Sequence, residues 1–135
     1  MNNNEINGAV VDSAMKVHSA LGPGLLESAY AICLTHELVK RGLRVNCEVP
    51  LPVIYDTVKL DAGYRLDLVV EDTVIVELKA VGALAPIHQA PILSYLKLSG
   101  KAIGLLINFH SLHLKDGIKR FVIEPLGSSV SSVVK

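Results

Sequence analysis

The chain has 135 residues, half of them hydrophobic, with 13 acidic and 13 basic side chains and a mean hydropathy of +0.43. That length and composition argue for one ordered domain around a single core, which an aromatic content of 4% makes aliphatic. The balanced charge excludes a protein that coats nucleic acid through a global basic surface, though not one with a local basic face.

Cys33 and Cys47 have no CxxC spacing, which argues against a disulfide framework or a zinc site; both are expected to be buried small hydrophobes. The N-terminus "MNNNEINGAVVDSAM" lacks the basic and apolar regions of a signal peptide, and no apolar run reaches the ~18 residues of a membrane span. The expected location is the cytoplasm.

In chain order, Ile6, Val10, Ala14, Val17 and Leu21 recur at helical spacing, so a first amphipathic helix is expected over 5–21, stopped by "GPG" at 22–24. A second is expected from Leu25 to Arg41, with Leu26, Tyr30, Cys33, Leu34, Glu37 and Leu38 along one side and Gly42 beyond its end. From Leu43 the period shortens. "RVNCEVPLPVIY" is one strand, or two broken by Pro50 and Pro52, which suit a sheet edge. "DTVKLDAGYRLDLVV" turns into a second strand and then a longer one; "EDT" is a turn and "VIVELKAV" the next strand. "IHQAPILSYLKLSG" reads as a helix closed by Gly100, "AIGLLINF" as a buried strand, "HSLHLKDGIKR" as loop or irregular strand, and "FVIEPL" as a last strand. The fold class is α/β, with residues 1–126 one domain and 127–135 a frayed, flexible tail. Strand, helix, strand across 74–108 is a crossover, which makes "VIVEL" and "AIGLLIN" parallel neighbours.

Charged residues stand inside the most apolar stretch, "YRLDLVVEDTVIVELKA". A three-residue turn at 71–73 sets Val70 against Val74 and Asp67 opposite Glu77, with Cβ atoms ~5 Å apart on one face. Lys79, two residues on from Glu77, shares that face. A two-residue turn would instead part the acids. Two carboxylates so close repel unless a cation lies between them, either Lys79 or a hard divalent ion such as Mg²⁺. Acid, acid and lysine are what metal-assisted phosphodiester hydrolysis needs, although the same spacing also describes a solvent-facing hairpin with ordinary charges.

Asp67 with Glu77-x-Lys79 on adjoining strands resembles the active-site signature of the PD-(D/E)XK nuclease superfamily, the restriction-endonuclease-like fold. "GLLESAY" at 24–30 is similar to the GxxExxY signature of a family of small bacterial and archaeal proteins within it. "GYRLDLVVEDTVIVELKAV", "ILSYLKLSGKAIGLLINF" and "LKDGIKRFVI" are similar to further blocks, so the likeness spans about residues 6–123. It implies two N-terminal helices followed by a mixed sheet with a crossover helix. It implies catalytic roles for Asp67, Glu77 and Lys79, and metal binding by Glu27, Asp67 and Glu77. Tyr30, Tyr95 and His88 are candidates for substrate contact or structural support, and Lys115, Lys119 and Arg120 for phosphate contacts, against a solvated loop. His110 and His113 are read as loop histidines.

One departure stands out. Where the family has glutamine before "LLSYLK", this chain has Pro91, which carries no amide and disfavours a helical residue before it, so the helix is expected to start or kink there. The implied activity is that of a Mg²⁺- or Mn²⁺-dependent nuclease hydrolysing phosphodiester bonds, in DNA before RNA. The alternative is a weak or inactive nuclease-fold module that binds nucleic acid or a protein partner. Self-association through the strand-rich 43–62 region is a further expectation.

Overall fold

The computed structural model describes residues 1–60, 63–123 and 130–134. Two helices come first: α1 (Asn3–Leu21) and α2 (Glu27–Lys40). The start of α1 is set by Asn2 and Glu5, whose side chains each accept the other's backbone N–H, at 2.8 and 3.1 Å. Strands β1 (Val45–Pro50), β2 (Val53–Tyr55), β3 (Val58–Leu60), β4 (Arg65–Val70) and β5 (Val74–Lys79) follow, then α3 (Pro86–Ser99), β6 (Ile103–Asn108), a 3₁₀ turn at Leu114–Gly117, β7 (Ile118–Ile123) and β8 (Val130–Val134).

Six strands form one sheet in the order β1-β4-β5-β6-β7-β8, and β2 pairs with β3 in a separate hairpin. The proline-bearing β1 lies at the edge, as its sequence required. β5 and β6 are parallel, Val74 against Ile103 through Lys79 against Asn108, and the connection through α3 is the expected crossover. Of the segment 127–135 expected to fray, residues 130–134 pair with β7, while 127–129 and 135 lie outside the described residues, as do 124–126 of the expected last strand. β7 also begins at Ile118, inside the stretch expected to be irregular.

The sheet is covered on both sides. On one, Val10, Ala14, Tyr30, Leu34 and Leu38 of the N-terminal helices pack on Leu68, Val76, Leu78, Leu105 and Ile107. On the other, Ile92 and Leu96 of α3 pack on Leu66, Val69, Ile75, Leu106 and Phe121. All six residues of β6 are buried, which is why that strand reads as a continuous apolar run. Gly104 lets α3 approach: a Cβ there would lie 2.8 Å from Ile92 Cδ1. Leu26, expected on the buried side of α2, is 76% exposed, because the helix begins only at Glu27.

α3 corrects the expectation at Pro91. The helix starts five residues earlier, with Pro86 at its first position, where a missing N–H costs nothing. His88 Nδ1 accepts the Ala85 N–H at 2.8 Å, closing the first turn. Pro91 is carried within the helix, where it gives the carbonyl of exposed Ile87 no N–H, an acceptor that water can satisfy.

Candidate active site

The β4–β5 hairpin turns through Glu71, Asp72 and Thr73, with positive φ at the first two and the Thr73 N–H donating to the Val70 carbonyl at 3.0 Å. Val70 faces Val74, Val69 faces Ile75 and Leu68 faces Val76, the register expected of a three-residue turn. The paired register ends there, and at the next step the two acids take over. Glu77 Oε1 accepts the Asp67 N–H at 3.2 Å, and Asp67 Oδ2 accepts the Leu78 N–H at 2.8 Å. Each carboxylate is thus held by the backbone of the opposite strand, which fixes both in the seam.

The strand is irregular at this point. Leu66 and Val69 pack on the α3 side and Leu68 on the other, whereas strict alternation would put Leu66 with Leu68. On β1, Cys47 pairs with Leu68 and Val49 with Leu66, but the position between, Glu48, takes a φ of 49° and makes no such pair with Asp67. The three charges still meet: the Asp67 and Glu77 carboxyls act on each other and the Lys79 charge acts on Glu77. Glu77 alternates with Val76 and Leu78, which pack under the N-terminal helices, and Asp67 also lines a cavity beside α2. The irregularity of β4 is what lets Asp67 meet Glu77 from across the seam.

That cavity, of about 550 Å³, is bounded by Glu27, Ala31 and Thr35 of α2, Cys47 and Glu48 of β1, and Asp67. Cys47, expected to be buried, is exposed at its wall, and Cys33 is half-buried; both are free thiols. Glu27 stands in the exposed first turn of α2. Among the described residues no three His, Cys, Asp or Glu side chains gather closely enough to hold a metal ion, so Glu27, Asp67 and Glu77 do not form a three-ligand group. Glu27, on α2, and Asp67, on β4, line the same cavity.

The electrostatics single out Glu77, which is 8% exposed. Its burial, then the negative charge of Asp67, push its carboxyl up to about 8, against the opposing pull of the Asp67 N–H and the Lys79 charge. Tyr95 of α3 overlooks the same pair: its phenol is raised above its ordinary value by burial first, then by the charges of Glu77 and Asp67.

Tyr30 is a clamp. It is fully buried, stacked on Phe109 with ring centroids 4.4 Å apart. Its hydroxyl donates to the Gly22 carbonyl at 2.6 Å and accepts the Leu25 N–H at 3.1 Å. The "GLLESAY" stretch thereby has a local logic: Gly24, at φ 109°, makes a turn few side chains allow, Tyr30 ties the turn down, and Glu27 is presented at the cavity.

The three candidate phosphate contacts do not form one patch. Lys115 is exposed on the 3₁₀ turn. Lys119 and Arg120 are consecutive on β7 and so point to opposite faces, Arg120 donating to Asn4 Oδ1 of α1 at 3.3 Å. His110 is half-buried and His113 exposed, both after β6, as the loop assignment requires.

Asn108 escaped the sequence reading. It is 1% exposed, sits beside Lys79 in the β5–β6 register, and holds Val81 at both backbone groups, N–H at 3.1 Å and carbonyl at 2.9 Å. It fixes the chain just beyond the lysine. The one signal was an amide inside the apolar run "GLLINF", since a buried polar group needs partners.

No helix among the described residues is long and apolar enough to cross a membrane. A family model described as the PD-(D/E)XK nuclease superfamily matches residues 4–121. A search of curated proteins and one of solved structures found no match.

Proposed function

Since the chain belongs to the PD-(D/E)XK nuclease superfamily, we propose that it is a divalent-metal-dependent nuclease that hydrolyses phosphodiester bonds in DNA, working in the cytoplasm. The observation that carries this reading is the seam pair: two carboxylates, each held by the other strand's backbone, at the end of the strand that bears Lys79.

The donor set fits Mg²⁺ or Mn²⁺. It is all oxygen, its two acids ionise together only against their mutual repulsion, which a cation would relieve, and each acid keeps one oxygen, Asp67 Oδ1 and Glu77 Oε2, outside those backbone hydrogen bonds. Magnesium is commonly held by one or two carboxylates with waters and substrate phosphate completing its shell. Asp67 and Glu77 would hold the ion, with Glu27 across the cavity reaching it through water. When bound, such an ion supplies a water of lowered pKa and charge stabilisation at the phosphate. Lys79 orients the attacking water and neutralises the charge that develops on the phosphoryl oxygens. Asn108 keeps the strand end beside the lysine in place.

Isothermal titration of Mn²⁺ into the wild type and into Asp67→Ala tests this. Uptake by the wild type alone, with cleavage of DNA by the wild type alone, is the expected result. A second reading, binding without cutting, is favoured by Pro91, which puts no amide one helical turn before Tyr95. Absence of metal uptake and of cleavage in the wild type would overturn the nuclease reading and favour this one.

A further inference from the structure

Of the four tyrosines, Tyr30 is consumed by the core, while Tyr64 and Tyr95 stand together at the site. Tyr64 immediately precedes β4, three residues before Asp67, and leaves 46% of its surface to solvent. Its ring centroid is 6.5 Å from that of Tyr95, with the planes tilted by 59°. At that tilt the two rings are not stacked in parallel, unlike Tyr30 and Phe109, which stack at 12°. A tyrosine this exposed, three residues before Asp67, is a surface on which a nucleobase can stack.

The charges point the same way. Duplex binding draws most of its affinity from rows of Lys and Arg along the phosphates. Here acids and bases cancel, and Lys16, Lys40, Arg41, Arg44 and Lys101 are tied up in ion pairs. Lys119 and Arg120 diverge to opposite faces. Stacking, by contrast, needs unstacked bases, and these are offered by a single strand or a frayed end.

We infer that Tyr64, with Tyr95 beside it, is a base-stacking platform and that the substrate is single-stranded nucleic acid delivered to the Asp67–Glu77 seam. This rests on the nuclease reading and narrows its substrate class. Tyr64 is a substrate-contact residue in this scheme.

The test is fluorescence anisotropy of a labelled single-stranded oligodeoxynucleotide, and of the same strand in a duplex, with the full chain in EDTA so that nothing is cut. The single strand binds at least about tenfold more tightly; Tyr64→Ala loses about tenfold on the single strand and little on the duplex, and Tyr64→Phe restores binding. Circular dichroism confirms that each variant is folded. Equal or tighter duplex binding, no binding of either form, or an Ala variant that binds single strand like the wild type overturns the inference. Mn²⁺ uptake and cleavage, measured separately, keep the two failures apart. A wild type that takes up metal and cuts duplex preferentially retains the nuclease reading and loses this one; single-strand preference without metal uptake does the reverse.

Discussion

The two ends of the β4–β5 hairpin obey different rules. At the turn end, Leu68, Val69 and Val70 face Val76, Ile75 and Val74 in a regular ladder, all six buried. At the open end, one step further, the register gives way to Asp67 and Glu77, whose carboxylates make the hydrogen bonds. The first arrangement contributes stability through burial. The second places two acids side by side at 77, buried, and 67, half-buried, so that Glu77 holds its proton and ionising both costs stability unless something cationic joins them. A stiff apolar hairpin is what holds the costly pair in place.

Asp67→Ala gives the largest expected effect on function: Mn²⁺ uptake disappears and DNA cleavage falls by about 100-fold or more, as for loss of a group that organises catalytic charge. A variant that cleaves like the wild type would erase the distinction between the two ends. At the turn end the effect should be on stability alone. Ile75→Ala removes a fully buried side chain and costs about 2–5 kcal/mol in denaturant unfolding, while metal uptake by the folded fraction persists.

The pair also sets a pH dependence. Glu77 is raised to about 8 from its ordinary value of 4.5, so between those values the folded state keeps a proton that the unfolded state has released. The metal-free protein should therefore be most stable below about pH 4.5, as far as this group is concerned, and lose a few kcal/mol as pH rises through about 8. Glu77→Gln should remove that decline. A Tm that rises with pH over the same window in both proteins would show that the carboxyl is not held protonated. Tyr30→Phe, away from the seam, should have the smallest effect, about 1–3 kcal/mol from the unpartnered Leu25 N–H and Gly22 carbonyl, read by thermal melting. It sharpens the comparison if Mn²⁺ affinity stays unchanged.

Much of this was legible in the residues. The turn chemistry of "EDT" and the two apolar runs on either side set the register, because an antiparallel pair with a turn of known length has one alignment that buries both. The crossover through α3 followed from a strand, a helix and a strand in succession. Pro86 was the better helix-start signal than Pro91, because a proline at the first position loses no hydrogen bond while one within the helix is tolerated when its orphaned carbonyl can reach water. The scatter of Lys115, Lys119 and Arg120 was not legible until β7 was known to begin at Ile118.

Sequence alone determined the α/β order, the hairpin that carries Asp67 and Glu77, and the placing of Lys79 beyond it. These rest on local periodicity and turn length, which neighbouring residues encode. Tertiary structure decided what the acids do there. The irregularity of β4 around Asp67, the cavity that α2 and β1 close over it, the Tyr64–Tyr95 pair and the Asn108 tether all depend on residues far apart in the chain. No period within one strand records which distant element packs against it, so these contacts exist only once the sheet has been covered on both faces.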